Sequence, residues 1–461
     1  MTPPDTHDLI IIGAGPGGTA AALEAAQRGA RVALVERDRP GGTCLNWGCI
    51  PTKALLATAE IARRASMGPA MGLMPCEVTV DWKALQSRRA QIIDRLVQAH
   101  LSEFKREGVE FIEGTARVTG RGQVEVRERG GATREIRAPH LILATGSRPG
   151  SLPGLEPDGT HVLNSDHALS LEALPSSLLI LGGGVIGCEF ASLFADMGVE
   201  VEIVEALDAL LALTDADAET TKELARVFRK RRIRMQLGAK VEHIEIGAGG
   251  VTAHLEGGKT ARAERALLSI GRRLNTDGLG LETIGLTPAR RGEIPVDEHL
   301  ATATKDVYAI GDITGQPQLA HLATHHGIVA ARHALGQTDA RIDLTAVPSV
   351  VFTHPCLASV GLSEAAAVEA GHDVAVGKIA ARLLGKAHVA GELDGLVKVV
   401  ADRGSGRLLG VHLVGAGAED QIAEATLAVR LGLTLRQLAD TIHPHPTMSE
   451  GIWEAVAAAL R

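Results

Sequence analysis

Cysteine is scarce in this sequence, with five in 461 residues. That is too few for a disulfide scaffold in a chain of this length, which excludes a small disulfide-rich fold. Long apolar runs are lacking too. The longest near-apolar stretch, residues 9–23, is broken by glycines and a proline, and it falls short of the roughly 20 residues that cross a bilayer. We therefore expect no membrane-spanning helix.

The sequence also lacks an excess of positive charge. Lysine and arginine number 47 against 55 acids, a net charge of −8, and no basic run is long enough to neutralise a row of phosphates. We therefore do not expect a nucleic-acid partner. Residues 1–8 carry two acids and no lysine or arginine, whereas an export signal begins with positive charge. We expect a cytoplasmic protein.

What is present describes a globular chain. Hydrophobic residues make up 45%, charged residues 22%, and 53 residues are glycine, a composition typical of packed cores joined by tight turns. At roughly 150 residues per domain, the length predicts about three domains.

One segment occurs twice. Residues 8–36 read DLIIIGAGPGGTAAALEAAQRGARVALVE and residues 177–205 read SLLILGGGVIGCEFASLFADMGVEVEIVE, a constant offset of 169. Each copy has an apolar run typical of a buried parallel strand, a GxGxxG turn, an Ala/Leu-rich helical stretch and a second strand. The pattern predicts a βαβ dinucleotide-binding unit in two copies.

Each glycine of the turn has its own task. The first makes the tight turn, the second lets a pyrophosphate approach the backbone, and the third lets the helix pack on the strand. Phosphate then binds the free N–H groups at the helix start. The positions are Gly13, Gly15 and Gly18 in the first copy, and Gly182, Gly184 and Gly187 in the second.

An acid closes each copy, Glu36 in the first and Glu205 in the second. A carboxylate there accepts hydrogen bonds from a ribose diol and repels a 2′-phosphate. The second site is therefore predicted to prefer NAD over NADP. The alternative is a surface acid at a strand end, as Glu202 nearby illustrates.

Two cysteines lie five residues apart in the segment 41–53, GGTCLNWGCIPTK. On a straight helix Cys44 and Cys49 would have Cα atoms roughly 8 to 9 Å apart, and a disulfide needs less than about 7 Å. If they bond, the segment is not a straight helix, and Gly48 and Pro51 supply an irregularity before a helix over 52–65. A chance pair of buried cysteines remains the alternative. The remaining cysteines stand alone and do not complete a zinc site: Cys76, Cys188 and Cys356.

Over essentially its whole length the sequence resembles the flavin disulfide reductases, and within them the dihydrolipoamide dehydrogenases, the flavoprotein component of 2-oxoacid dehydrogenase complexes. Segment 41–53 is similar to that family's redox-active disulfide motif. Further matching segments are LATGSRP (143–149), SIGRRLN (269–275), VYAIGD (307–312), THPCLASVG (353–361) and HPHPTMSE (443–450).

The resemblance implies an α/β fold with two Rossmann-like dinucleotide-binding domains, a central domain and a C-terminal α+β dimerisation domain. It implies a homodimer, and four domains where length alone predicts about three. The expected ranges are 1–146 for FAD binding, 147–271 for NAD binding, 272–343 for the central domain that completes the FAD site, and 344–461 for the interface domain.

By the same resemblance, the first unit is expected to bind FAD. Lys53 would lie near the flavin N5 edge, Asp312 would hydrogen-bond the ribityl chain, and residues 319–321 would back the flavin. The expected FAD set is Gly13, Gly15, Gly18, Glu36, Thr43, Lys53, Gly114, Thr145, Gly146, Ser147, Asp312, Leu319, Ala320 and His321.

The second unit is expected to bind NAD. The resemblance implies that Glu189 pairs with Lys53 beside the nicotinamide, and that Val241 and Gly271 line the pocket. The expected NAD set is Gly182, Gly184, Val185, Ile186, Gly187, Glu189, Glu205, Val241 and Gly271.

A dithiol oxidase also needs a base, because the thiolate, not the thiol, attacks a disulfide. His445, held by Glu450, matches the family's base and its orienting acid. The alternative is a solvated HxH, or an HxH metal site joined by His325 and His326; we expect no bound metal.

The implied reaction oxidises protein-bound dihydrolipoyl groups with NAD⁺. Cys44 would exchange with the dithiol through a mixed disulfide, and Cys49, beneath the flavin, would pass the electrons on. The expected partner is a lipoylated carrier protein of a 2-oxoacid dehydrogenase or related complex.

Some residues depart from the family pattern. After residues 319–321 the family often has a lysine and then an acidic pair, where this chain has Leu322, His325 and His326. That is either harmless repacking or the mark of a paralogue serving an unusual lipoyl carrier.

Two other functions remain as alternatives. One is an NAD(P)H-dependent flavoprotein reductase acting on another substrate, such as glutathione or mercuric ion. Basic residues after the second unit, expected of the glutathione type, and a C-terminal cysteine pair, expected of the mercuric type, are both missing from the sequence. The other is a flavin-bearing binding subunit without turnover.

Overall fold

The computed structural model describes residues 5–75 and 78–461. Cys76 lies outside the described residues, as do residues 1–4 at the start of the segment without basic side chains. The α-helices are α1 (Pro16–Gln27), α2 (Gly42–Trp47), α3 (Cys49–Ser66), α4 (Trp82–Glu107), α5 (Ser165–Leu169), α6 (Val185–Asp196), α7 (Ala218–Lys230), α8 (Ala320–Ala334), α9 (Glu364–Glu369), α10 (Gly385–Ala390), α11 (Ala418–Leu431), α12 (Leu435–Ala439) and α13 (Glu450–Ala459). Short 3-10 helices span Gly68–Met71, Leu281–Ile284, Gly311–Thr314 and Ala381–Leu383.

The strands are β1 (Asp5–Thr6), β2 (Leu9–Ile12), β3 (Val32–Glu36), β4 (Glu110–Gly120), β5 (Gln123–Glu128), β6 (Thr133–Arg137), β7 (His140–Leu143), β8 (Ser147–Pro149), β9 (Val162–Leu163), β10 (Ser177–Leu181), β11 (Glu200–Glu205), β12 (Arg234–Leu237), β13 (Val241–Gly247), β14 (Gly250–Leu255), β15 (Lys259–Ala263), β16 (Arg265–Leu268), β17 (Arg272–Leu274), β18 (Val307–Ala309), β19 (Ser349–Val351), β20 (Cys356–Gly361), β21 (Val374–Ala380), β22 (Leu396–Asp402) and β23 (Leu408–Gly415).

The chain forms two compact units. The first takes residues up to 55 together with 83–150 and 271–343, and the second takes 56–82, 151–270 and 344–461. Each unit is built from separate stretches of chain. The predicted division into four domains by residue range stays a prediction.

The first unit is organised by a sheet in the order β1-β6-β5-β4-β3-β2-β7-β18. The strands from β4 to β18 in that order pair in parallel, and β4, β5 and β6 form an antiparallel extension. All of β2 is buried, as expected of a parallel strand covered on both faces. Helices α1 and α8 contribute alanines to the core on one face, around Leu9, Ile11 and Leu34.

The second unit contains the other βαβ copy and an antiparallel sheet. The parallel sheet runs β12-β11-β10-β16-β9, with α6 joining β10 to β11. A separate antiparallel sheet runs β19-β20-β23-β22-β21, and residues of α11, α12 and α13 share its core. The predicted fold class is confirmed: the chain has two sheets of the dinucleotide-binding βαβ type and an α+β C-terminal region.

One expected element boundary is wrong. The helix predicted over 52–65 begins at Cys49 and runs to Ser66. Pro51 lies in the first turn of this helix, where a missing N–H removes no intrahelical hydrogen bond. The helix can therefore begin before the proline. The predicted irregularity at Gly48 is present, since Gly48 separates α2 from α3.

Among the described residues, no helix combines the length and apolar character that spanning a bilayer demands.

Candidate active site

The two glycine turns have the same geometry. Gly13 and Gly182 have φ angles of 106° and 111°, in the region that favours glycine. A Cβ atom on Gly18 would lie 1.8 Å from the carbonyl oxygen of Gly13, and one on Gly187 would lie 1.9 Å from that of Gly182. The third glycine of each turn is therefore required by close packing of the helix on the turn.

The middle glycines meet a different environment. A Cβ on Gly184 would meet no atom of the described residues within 4 Å, and one on Gly15 would meet only the Gly42 Cα at 4.0 Å. Both glycines are N-caps, and no side-chain hydrogen bond caps the helix that either one starts, α1 or α6. Each turn thus leaves open space beside free N–H groups at a helix start, which fits a dinucleotide phosphate.

The acids that close the two copies are held in the same way. The Glu36 carboxylate accepts hydrogen bonds from the N–H groups of Ala14 (2.8 Å) and Asp38 (2.9 Å). Glu205 accepts from Gly183 (2.6 Å) and Leu207 (2.8 Å), the equivalent positions at the offset of 169.

This contact gives the two acids a role that the sequence interpretation missed. Each carboxylate ties the glycine turn to the end of the second strand and thereby fixes the shape of the turn. An oxygen that accepts one N–H still has a lone pair for a hydroxyl, so ribose recognition by Glu36 and Glu205 remains compatible and stays a prediction.

The predicted ribityl-binding residue Asp312 belongs to a polar network within the first unit. Ser147 donates its hydroxyl to the Asp312 carboxylate. The Arg272 guanidinium donates to the Ser147 hydroxyl at 2.7 Å and to its carbonyl at 2.9 Å, and the Thr43 hydroxyl donates to the same carbonyl at 3.3 Å. The network brings together Thr43, Ser147 and Asp312, which are far apart in sequence.

The neighbouring loop is fixed by two further bonds. Thr145 donates to the Asn275 carbonyl at 2.7 Å, and the Asn275 side chain donates to the Thr145 carbonyl at 2.9 Å. Arg272 and Asn275 were not predicted as site residues, although the segment SIGRRLN that contains them was noted as a family match.

Cys44 and Cys49 are both half-buried thiols. Cys44 lies on α2 and Cys49 is the first residue of α3, where the helix macrodipole favours negative charge. A hydrogen bond with Cys49 and burial raise the pKa of the Cys44 thiol, and the Lys53 ammonium opposes that rise. The break at Gly48 thus brings the two sulfurs into hydrogen-bonding contact, with a helix start at Cys49.

His445 and Glu450 form the predicted pair in the second unit. The His445 Nδ1 lies 2.8 Å from one Glu450 oxygen, and the Thr447 N–H donates to the other at 2.7 Å. These two contacts, the Thr447 N–H first, lower the pKa of Glu450. An ionised carboxylate only accepts, so the proton of neutral His445 sits on Nδ1, and Nε2 presents its lone pair. The His445 side chain is 75% exposed, as an accessible base requires.

A second histidine–carboxylate pair lies beside this one. His443 Nε2 is 2.8 Å from a Glu424 oxygen, and the His443 side chain is only 7% exposed. At the level of sequence, His443 was considered only as part of the alternative HxH site, and Glu424 was not named. The HxH spacing was visible, but nothing in the sequence marked Glu424 as its partner.

The remaining predicted residues lie in separate parts of the chain. Leu319 is the N-cap of α8, and Ala320 begins that helix. Glu189 is buried on α6 and accepts a hydrogen bond from the Phe352 N–H at 3.0 Å. The structure gives the others the following places: His321 on α8, Gly114 in β4, Gly146 after β7, Val185 and Ile186 at the start of α6, Val241 at the start of β13, and Gly271 before β17. The pairing of Lys53 with Glu189 stays a prediction.

His325 and His326 follow on α8. His326 is fully buried, and its Nδ1 accepts the Gly311 N–H at 3.2 Å. In the part of the chain that the structure describes, no group of three or more His, Cys, Asp or Glu side chains is placed to hold a metal ion.

A nicotinamide-linked disulfide oxidoreductase needs two dinucleotide-binding turns and a pair of adjacent thiols, and this fold supplies both. Residues 7–327 match the family model described as pyridine nucleotide-disulphide oxidoreductase, and residues 347–456 match the dimerisation domain of the same family. The chain belongs to the pyridine nucleotide-disulphide oxidoreductases. The predicted family is confirmed.

Similar proteins agree with this assignment. The chain is 41% identical to a dihydrolipoyl dehydrogenase of Bacillus subtilis, over 98% of both chains. It is 42% identical to one of Chlamydia muridarum, over 97% of this chain and 96% of that protein. The crystal structure of LpdA from Mycobacterium tuberculosis matches with a TM-score of 0.91 and 29% identity, covering 98% of this chain and 99% of that one.

Proposed function

We propose that this chain oxidises protein-bound dihydrolipoyl groups to the lipoyl disulfide and reduces NAD⁺ to NADH. The observation that carries the proposal is the hydrogen-bonded pair of Cys44 on α2 and Cys49 at the start of α3, in the unit whose glycine turn leaves room for a dinucleotide. Relatives at about 40% identity over nearly the whole chain bear the name of this activity.

The exchange step follows from thiol chemistry. A thiolate of the dihydrolipoyl group attacks the Cys44 sulfur of the oxidised pair, the bond between the two cysteines breaks, and Cys49 leaves as a thiolate. The second lipoyl thiolate then displaces Cys44 from the mixed disulfide. The products are the lipoyl disulfide and the reduced cysteine pair.

His445 handles the proton of this step. Its Nε2 lone pair accepts the proton whose loss forms the attacking thiolate, while Glu450 holds the ring through Nδ1. Such a base contributes on the order of 10² to 10⁴ in rate.

The cofactors are FAD and NAD. When bound, FAD supplies two-electron transfer between the cysteine pair and NAD⁺. Gly15, Ser147 and Asp312, with the rest of the predicted FAD set, would hold FAD. Gly184 and Glu205, with the rest of the predicted NAD set, would hold NAD. The open space at each middle glycine and the uncapped helix starts support this assignment.

The expected setting is a cytoplasmic homodimer that receives a lipoylated carrier protein. The match of residues 347–456 to the dimerisation domain supports the dimer. The four ranges 1–146, 147–271, 272–343 and 344–461 are proposed as its FAD-binding, NAD-binding, central and interface domains.

The test measures NAD⁺ reduction by the holoenzyme, with free dihydrolipoamide and with several lipoylated carrier domains as substrates. A second assay, in the reverse direction, supplies NADPH and glutathione disulfide. We expect turnover with dihydrolipoamide and NAD⁺, and its loss in Cys44→Ser. Cys356→Ala is the matched control, because that cysteine is buried in β20. Absence of turnover with dihydrolipoamide, together with NADPH-driven reduction of glutathione disulfide, would overturn the proposal.

A further inference from the structure

The loop that carries His445 contains a second, buried histidine. His443 lies between α12 and α13, and its side chain is 7% exposed, against 75% for His445. The polar atoms of a buried imidazole are normally hydrogen-bonded, so the contacts of His443 constrain its protonation state.

Both ring nitrogens of His443 face acceptors. Nε2 lies 2.8 Å from a Glu424 oxygen and Nδ1 lies 3.0 Å from the Thr441 carbonyl oxygen. A neutral imidazole carries only one N–H, so its other nitrogen would point a lone pair at an oxygen. With Glu424 ionised, both contacts are favourable when His443 carries two protons and a positive charge.

The same contacts anchor the loop. Glu424 is on α11, a helix whose residues share the core of the C-terminal sheet, so His443 fixes the start of the loop to a packed element. Glu450, at the start of α13, fixes the far end through Thr447 and His445. His445 is therefore held from both sides.

The charge has an electrostatic consequence for the proposed base. The ionisable groups that the described residues place against these two imidazoles are Glu424 from α11 and Glu450 from α13. His443 contributes to lowering the pKa of Glu450, after Thr447 and His445. The His443 cation favours the ionised Glu450, and its removal would leave the negative charge of Glu424 unpaired beside the loop.

We propose that His443 and Glu424 form a permanently ionised pair that positions His445 as the proton acceptor. Both ring nitrogens of His443 contact protein oxygens, so His443 acts through His445 and is a positioning residue. The role rests on the proposed dithiol oxidation, but the charge state can be measured without any turnover.

The first experiment is a neutron crystal structure of the holoenzyme at pH 7.5. We expect deuterium on both ring nitrogens of His443 and on Nδ1 alone of His445. In Glu424→Gln we expect His443 to lose one of its two deuterons. A single deuteron on wild-type His443 overturns the inference, whatever the enzyme's substrate proves to be.

The second experiment is the pH profile of dihydrolipoamide oxidation by His443→Gln. Loss of the neighbouring charge should move the acid limb assigned to His445 to higher pH and lower kcat at pH 7 about tenfold, with the KM for dihydrolipoamide changed less than about twofold. FAD content and the urea midpoint are measured beside it. An acid limb at the wild-type pH, in a variant that keeps its FAD, overturns the positioning role.

The matched control is His372→Gln. His372 also pairs with a carboxylate, Asp402, at 3.2 Å, in the segment just before β21. It should leave the pH profile unchanged. A wild-type enzyme with no dihydrolipoamide turnover would refute the proposed function alone, since the neutron structure still decides the charge of His443.

Discussion

His326 makes the stability of the first unit depend on pH. It is fully buried on α8, its Nδ1 accepts the Gly311 N–H, and its Nε2 has no hydrogen-bond partner among the described residues. Burial, and secondarily the charge of His325, lower the pKa of His326 to about 4. A proton on Nδ1 would remove the acceptor for Gly311.

The direction of this pH dependence follows from proton uptake on unfolding. The unfolded chain titrates this histidine near its ordinary value of 6.5 and the folded chain near 4, so between these values the unfolded state binds more protons. The stabilisation is therefore present above pH 6.5 and is lost as the pH falls towards 4. The whole difference corresponds to about 3 kcal/mol, of which about 2 kcal/mol is lost between pH 7 and pH 5.

The perturbation is His326→Asn, assayed by urea unfolding of the holoenzyme from pH 7.5 to pH 4.5. Asparagine keeps a side-chain oxygen for the Gly311 N–H but does not titrate. We expect the variant to be less stable at pH 7, because a smaller side chain leaves a cavity. It should lose about 2 kcal/mol less than wild type between pH 7 and pH 5.

Comparing the variant with wild type isolates the contribution of His326 to the pH dependence. His354 has a pKa lowered to about 3, chiefly by burial, but it contributes equally to both proteins and cancels in the difference. His388→Asn, an exposed position, should leave the slope unchanged. Parallel stability curves for wild type and His326→Asn would refute the reasoning. Because Gly311 adjoins the predicted flavin residue Asp312, flavin fluorescence should report FAD release over the same pH range.

Three further predictions concern stability and cofactor binding. Lys398→Met should lower the free energy of unfolding, measured in urea, by about 3–5 kcal/mol, because the Lys398 side chain is 2% exposed and its ammonium lies within 3.4 Å of three carboxylates that would lose their partner. The exposed control Lys378→Met should cost less than about 1 kcal/mol, and an equally small loss for Lys398→Met would contradict the prediction. Gly187→Ala should cost about 3 kcal/mol or more, because its Cβ would meet a carbonyl oxygen at 1.9 Å. Gly184→Ala should keep the wild-type Tm and raise the KM for NAD⁺ about tenfold, because its methyl group fills the space beside the helix start. An unchanged KM would contradict the assignment of this turn to NAD binding.

The parts of the fold that were predictable are those encoded by local pattern. Residues 8–36 and 177–205 each combine an apolar run, a glycine turn and a helical stretch, so sequence alone placed β2, α1 and β3, and again β10, α6 and β11. The steric need for glycine at Gly18 and Gly187 follows from that pattern, since only a missing side chain lets the helix touch the turn.

The start of α3 was misplaced for a local reason as well. Proline signals a boundary, but it is tolerated within the first turn of a helix. Sequence alone does not distinguish a proline before a helix from one inside its first turn. Here the difference moves Cys49 from a linker to the first residue of the helix, where the macrodipole acts on its sulfur.

What the sequence could not supply are the partners that only folding brings together. The HxH motif marks His443 and His445 together, and the local sequence does not distinguish the roles of the two histidines. Glu450 lies five residues beyond His445 and was found, whereas Glu424 lies nineteen residues before His443 on another helix and was not. The contacts separate the two histidines, because one imidazole is closed between two acceptors and the other keeps a free nitrogen. A motif therefore identifies which residues can do the chemistry, and the long-range hydrogen bonds decide which of them is the base and which is the fixed charge beside it.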